Sequence, residues 1–240
     1  MAATEITAED RAFLAAYDPA AYPRPSLTVD VVLMTADRGR LRVALIERSE
    51  PPFRGAWSLP GVFVALSESL EAAARRALAK TALDPDRFSG WLEQLYTFGA
   101  VERDPRGRVV SVAYFALVPP ERLAAAGEGS GAVRLAPVVD GAVEVALAFD
   151  HAAVVQVAVE RLRGKLGYTD VGFALLPPAF TLRALQELHE TILGRPLNKD
   201  SFRRRMLATG LLVPTGDREE PVGHRPAALY RFEPVGGRDG

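Results

Sequence analysis

The chain has 240 residues, 48% apolar and 25% charged, with 29 Lys and Arg against 30 Asp and Glu for a net charge of −1. That balance excludes a largely disordered chain, and the length admits one large domain or two small ones. With no cysteine there are no disulfides, thiolate metal sites or thiol nucleophiles, and His151, His189 and His224 are too dispersed for a zinc cluster.

Thr7 caps a short helix in "TAEDRAFLAAYDP". Residues 26 to 35, "SLTVDVVLMT", and 41 to 48, "LRVALIER", are rich in Val, Leu and Ile and bounded by Pro, Asp and Gly, as strands are. "GAWSLPGVFV" then supplies the Gly and Pro of a tight connection into a short strand. Residues 68 to 82 place Leu70, Ala74, Ala77, Leu78 and Thr81 at helical spacing, which predicts an amphipathic helix with a narrow, small-residue buried face. "LEQLYTFG" (92 to 99) and "VVSVAYFALV" (109 to 118) predict a hairpin joined by "DPRGR". Strands around one helix make an α+β domain ending near residue 137. Residues 138 to 149, "VVDGAVEVALAF", read as an edge strand or an interdomain connector.

The second half changes character. Asp150 caps a helix running to about Lys165, and Thr181 caps another to about Leu193, with Leu182, Leu185, Leu188 and Ile192 on its apolar face. Asn198 caps a third, "KDSFRRRMLATG", which Gly210 ends. "LLVPTGDREEPVGHRPAALYRF" follows as strand, long polar turn and strand, completing the order of a winged helix-turn-helix. Residues 151 to 240 carry 13 Lys and Arg against 10 Asp and Glu, and the first 150 carry 16 against 20, so the second half is the basic one. No stretch reaches the ~18 uncharged apolar residues of a membrane span, and "MAATEITAEDR" lacks the layout of a signal peptide. A cytoplasmic protein with no membrane partner is expected.

Three stretches carry chemistry. Metal-assisted hydrolysis of a diphosphate needs several carboxylates converging on hard divalent cations. Between residues 68 and 83 the only carboxylates are Glu68 and Glu71, and Lys80 brings a positive charge that repels a metal. In "NKDSFRRRMLATG", Phe202 and Met206 turn to the core and Arg204, Ser201 and Asp200 to the other face, flanked by Arg203 and Arg205. Three consecutive arginines suit phosphate pairing and guanine edges. Thr181, Arg183 and Lys199 precede them and Arg218, His224 and Arg225 follow on the wing, so one surface gathers a DNA-binding set. A solvated basic face on a structural helix is the plainer reading. In "YTFGAVERDPRGRVVSVAYF", Tyr96 and Phe98 could line a base or ribose pocket, with Arg103, Arg106 and Arg108 meeting phosphates; core aromatics and solvated arginines are the plainer reading.

Together these residues resemble the Nudix-related transcriptional regulators, in which a Nudix domain is fused to a C-terminal winged helix. The ordered matches run through "YPRPSLTVDVVLMT", "GAWSLPGVFV", "ESLEAAARRAL", "LEQLYTFG", "RDPRGRVVSVAYFAL", "LAFDH", "RLRGKLGYT", "FTLRALQELHETILGRPLNKDSFRRRML" and "RPAALYRF". The resemblance implies a Nudix-like α/β/α sandwich for effector sensing and dimerisation over residues 1–145, and a winged helix for DNA binding over 146–240. It also implies a homodimeric repressor that reads a palindromic operator in double-stranded DNA. The effector implied is a nucleotide-sugar or phosphosugar metabolite such as ADP-ribose, met by Arg48, Arg54, Glu68, Tyr96, Phe98 and Arg106, and the genes those of NAD or sugar metabolism. The Nudix pattern is Gly, five residues, Glu, seven residues, Arg-Glu, then a Glu pair. Here Val62 stands at the glycine, Glu68 and Arg76 fit, Ala77 replaces the next glutamate, and the pair falls on Lys80 and Thr81, or on Ala79 and Lys80. No hydrolase activity, no catalytic residue, no metal and no cofactor are therefore expected. The alternatives are an active Nudix hydrolase of ADP-ribose-like compounds with an accessory C-terminal domain, and a DNA-binding protein whose first domain only dimerises.

Overall fold

A computed structural model describes residues 5–81, 83–86, 88–127, 133–220 and 226–234. Helix α1 (Ala8–Ala16) begins with a reciprocal cap, in which Asp10 N donates to Thr7 Oγ1 at 3.1 Å and Thr7 N to Asp10 Oδ2 at 2.8 Å. None of its residues is buried.

Strand β1 (Ser26–Asp37) buries residues 28 to 35 without interruption, as a central strand must. It pairs antiparallel with β2 (Arg40–Glu47) across a two-residue turn in which Arg38 and Gly39 both have positive φ, 49° and 70°. The short strands β3 (Trp57–Ser58) and β4 (Gly61–Phe63) pair with β2 and β1. Ser69 then caps α2 (Leu70–Leu78), shorter than the helix expected over residues 68 to 82 because a 3₁₀ turn takes over at Ala79–Thr81. Strands β5 (Trp91–Phe98) and β6 (Val109–Leu117) form the expected hairpin, and β6 runs parallel to β1. After α3 (Pro120–Gly127) come β7 (Val133–Val139) and β8 (Ala142–Val143), which extend the sheet beyond β2 and place Val138, Val139, Ala142 and Val143 at its edge, the rest of 138 to 149 connecting to the next helix. The order is β5-β6-β1-β2-β7-β8.

Side chains alternate along β1. Val29, Val31 and Leu33 pack with Ala73, Ala74, Ala77 and Leu78 of α2 on one face. Val32 and Met34 pack on the other face with Val154, Val155, Ala158, Val159 and Leu162 of α4 (His151–Lys165). The result is the expected α/β/α sandwich, with Leu188 and Ile192 from the next helix in the second core. Asp150 stands at the N-cap of α4 but makes no side-chain capping bond; the expected cap gives way to an ion pair with Arg103.

Strand β9 (Phe180–Thr181), α5 (Leu182–Leu193), α6 (Lys199–Ala208), β10 (Leu212–Arg218) and β11 (Ala228–Phe232) form the winged helix, its small sheet ordered β10-β11-β9. Thr181 Oγ1 accepts from Ala184 N and Asn198 Oδ1 from Ser201 N, both at 3.0 Å, so each predicted cap is made. Phe180, Leu182, Leu185 and Phe202 form its own core under Tyr230 and Phe232. Among the described residues no helix is long and apolar enough to cross a membrane.

Candidate functional site

A cleft of about 660 Å³ opens where β1, β4, the end of β2, the end of α2, the loop after β5 and the start of α4 meet. Its floor is Asp30, on β1 opposite Gly61 of β4. A Cβ at position 61 would lie 2.1 Å from Asp30 Oδ1, so glycine is what lets β4 close over this carboxylate. Ser111 Oγ donates to Asp30 Oδ2 at 2.6 Å, Arg103 Nη2 approaches it at 3.4 Å, and His151 Nε2 stands 3.7 Å from Oδ1. Arg103 also donates twice to Asp150, from Nε at 2.9 Å and Nη2 at 2.6 Å. Burial works against the Arg103 charge, but Asp150 and Asp30 together hold its pKa above the ordinary value. His151 Nδ1 accepts from Leu59 N at 3.0 Å, which leaves the imidazole proton on Nε2, facing Asp30. Burial lowers the His151 pKa in spite of the opposing pull of Asp30 and Asp150, so the ring is neutral.

Above this floor the lining is cationic and aromatic. Arg48 lies over the Phe149 ring at 4.8 Å, and Arg106 lies over Phe149 at 5.5 Å and over Phe63 at 5.1 Å. Phe149 takes a φ of +56° and meets Phe53 edge-on at 5.0 Å. Lys80 Nζ donates to Gly61 O at 2.6 Å. Arg76 also lines the cleft while its Nε donates to Glu68 Oε2 at 3.1 Å. Such a surface suits an anion carrying an aromatic or sugar ring.

The donor set does not fit a hard divalent cation. Among the described residues no group of three or more His, Asp and Glu side chains is placed to hold a metal. Asp30 is already engaged by Ser111 and Arg103, and an ammonium occupies the lining beside it.

Of the effector residues expected from sequence, Arg48, Arg103 and Arg106 line the cleft, Arg103 with its guanidinium taken up by Asp150 and Asp30, while Arg108 lies outside the lining and donates to Gly99 O and Ala100 O. Glu68 touches it only through Arg76, and Arg54 pairs with Glu50 beside it. Tyr96 and Phe98 do not line it; they meet edge-on at 5.4 Å on the edge strand β5, with Tyr96 60% exposed. Sequence reasoning missed Asp30, Phe149 and His151. The last two sit in the "LAFDH" segment, whose Phe-Asp-His run was the available signal.

On the winged helix, Thr181, Arg183, Lys199 and Arg203 line one depression between the start of α5, α6 and β11. Ser201, Arg204 and Arg205 are exposed on α6, while Phe202, only 2% exposed, anchors that helix. Arg205 lies over the Phe202 ring at 5.6 Å, and Arg183 Nε donates to Glu187 at 2.8 Å. His224 and Arg225 lie outside the described residues. His189, buried on α5 and edge-on to Phe202 at 5.0 Å, has its pKa lowered to about 4 by burial, with Arg205 adding to the effect.

Residues 24–155 match the NUDIX domain family and residues 172–232 the NrtR DNA-binding winged helix domain. The chain is 42% identical over 229 residues, 93% of its length and 88% of the relative's, to the ADPR responsive transcriptional repressor NtrR of Acinetobacter baylyi. The crystal structure of Shewanella oneidensis NrtR complexed with a 27mer DNA aligns with a TM-score of 0.78 at 39% identity, covering 86% of this chain and 93% of that one. Over 94 residues, 39% of this chain and 51% of the other, it is 33% identical to an ADP-ribose pyrophosphatase of Methanocaldococcus jannaschii.

Proposed function

The chain belongs to the family of regulators that join a Nudix domain to an NrtR winged helix, and from that premise we propose that it is a DNA-binding transcriptional repressor responsive to ADP-ribose. The observation that carries this reading is end-to-end similarity to an ADPR responsive repressor, in a chain that keeps both a cation-lined cleft and an exposed arginine row on α6. We divide the labour by fold unit: the sandwich, completed by α4, senses effector and dimerises, and the winged helix from β9 onward reads DNA, with α4 packed against both the sheet and α5.

As a homodimer, two α6 helices related by a twofold axis enter successive major grooves ~34 Å apart on a palindromic operator. The exposed apolar residues Phe13 and Leu14 of α1 and Tyr17 just after it offer a surface for the dimer. Arg203, Arg204, Arg205, Lys199 and Ser201 face DNA, and Thr181 and Arg183 at the start of α5 meet phosphates. ADP-ribose in the cleft places its ring against Phe149 and its diphosphate among Arg48, Arg106 and Lys80. It releases DNA by favouring a dimer with the wrong helix spacing, which takes a preference of roughly 5 kcal/mol for a 99:1 reversal.

The first domain is a sensor and not a hydrolase, because Lys80 and Ala77 stand where the Nudix pattern has glutamates. Relatedness to an ADP-ribose pyrophosphatase keeps hydrolysis as the competing reading. Selection of sheared genomic DNA by the purified protein, at salt that suppresses nonspecific phosphate contacts, tests the main one. Enrichment of one palindrome supports it, and no enrichment counts against it.

A further inference from the structure

Lys80 falls where the Nudix pattern has a glutamate of the metal-binding pair, and the fold puts its ammonium into the cleft. The 3₁₀ turn after α2 carries it there, and its one hydrogen bond among the described residues is to Gly61 O at 2.6 Å. An ammonium has further N–H donors, so this bond orients the group without exhausting it. Arg48, Arg76 and Arg106 reach the same cleft from three other segments. The two buried carboxylates of the lining are already engaged, Asp30 by Ser111 and Arg103, and Asp104 by Arg106. Glu47 and Glu50 also line the cleft but are exposed, Glu50 in a pair with Arg54, so what its inner part offers to a ligand is positive charge.

We propose that the Lys80 ammonium replaces the divalent cation as the counter-charge for the effector's diphosphate, so that this chain binds ADP-ribose without metal. The proposal rests on the effector reading above and deepens it. A hard divalent cation would need several carboxylate oxygens to hold it beside a diphosphate; here the positive charge is covalently part of the chain, and Ala77, Lys80 and Thr81 stand where the Nudix pattern has glutamates. Burial lowers the Lys80 pKa from its ordinary 10.5 although Asp30 pulls the other way. A diphosphate beside it would favour the charged form of the amine. Gly61 serves twice, by leaving room for Asp30 and by presenting the carbonyl that holds Lys80.

The test is calorimetric titration of the full chain with ADP-ribose and, separately, with inorganic pyrophosphate, in chelator and in Mg²⁺. The expected result is an ADP-ribose affinity that is the same in both buffers. Lys80→Gln weakens both ligands by about tenfold or more, as loss of a charge-assisted hydrogen bond does, and Lys80→Arg retains most of the affinity. A wild-type affinity raised about tenfold by Mg²⁺, or a Lys80→Gln protein that binds like wild type, overturns the proposal. If pyrophosphate binds in chelator and is lost with Lys80→Gln while ADP-ribose does not bind, the anchor stands and the effector reading falls. If neither ligand binds, both fall.

Discussion

Arg103 holds Asp150 through two hydrogen bonds, at 2.9 and 2.6 Å, and so fastens the loop after β5 to the residue that precedes α4. The same guanidinium touches Asp30 on the cleft floor. At its other end α4 reaches α5, where Arg163 Nε donates to Ile192 O at 2.9 Å. Helix α4 thus joins the cleft floor to the first helix of the winged helix.

That relationship gives the first prediction. Arg103→Gln leaves Asp150 and the mostly buried Asp30 without their cation, and breaking a buried pair costs about 3 kcal/mol or more. Chemical denaturation is expected to show a loss of that order. Unchanged stability would mean that the network is not a structural link.

Arg204 is exposed on α6, with no ion pair of its own among the described residues. Arg204→Ala is expected to weaken specific operator binding by about 1 to 3 kcal/mol while leaving thermal stability unchanged. A titration at fixed salt that finds wild-type affinity would remove Arg204 from the interface.

Ala77 and Lys80 at Nudix glutamate positions, with no metal-holding carboxylate cluster among the described residues, predict no release of AMP from ADP-ribose in the presence of Mg²⁺ or Mn²⁺. Turnover that is abolished by Glu68→Gln would restore the hydrolase reading. Glu68 is tied to Arg76 and to the amide of Ala65, contacts that lower its pKa, as suits a structural carboxylate.

His189 makes stability depend on pH. Its pKa falls from the ordinary 6.5 to about 4 on folding, so between those values the unfolded chain binds a proton that the folded chain refuses. Stability is then greatest above about pH 6.5 and declines toward pH 4, by something on the order of 3 kcal/mol. His189→Leu is expected to flatten that stretch of the profile; an unchanged slope would assign it to other groups, His151 among them.

Much of this was legible in the sequence. The caps at Thr7, Thr181 and Asn198 are local signals in which a side chain bonds its own helix, and each is made. The Val, Leu and Ile-rich runs at 26 to 35 and 41 to 48 and the helix, helix, wing order are likewise local. The cleft is not local. Asp30 looks like a flaw in an apolar strand until Ser111, 81 positions on, and Arg103, 73 on, are seen beside it. Asp150 reads as a cap because nothing nearby in sequence competes for it, whereas the fold brings Arg103 to its carboxylate. Tyr96 and Phe98 share a face in sequence, but β5 is an edge strand, and that face is away from the cleft lining.

The measurement that bears most directly on the whole account is fluorescence anisotropy of the selected operator duplex bound to the full protein, with ADP-ribose added against AMP and ribose 5-phosphate as controls. The account predicts that ADP-ribose alone releases the DNA, and does so in chelator. An operator complex indifferent to ADP-ribose, with and without Mg²⁺, would contradict it.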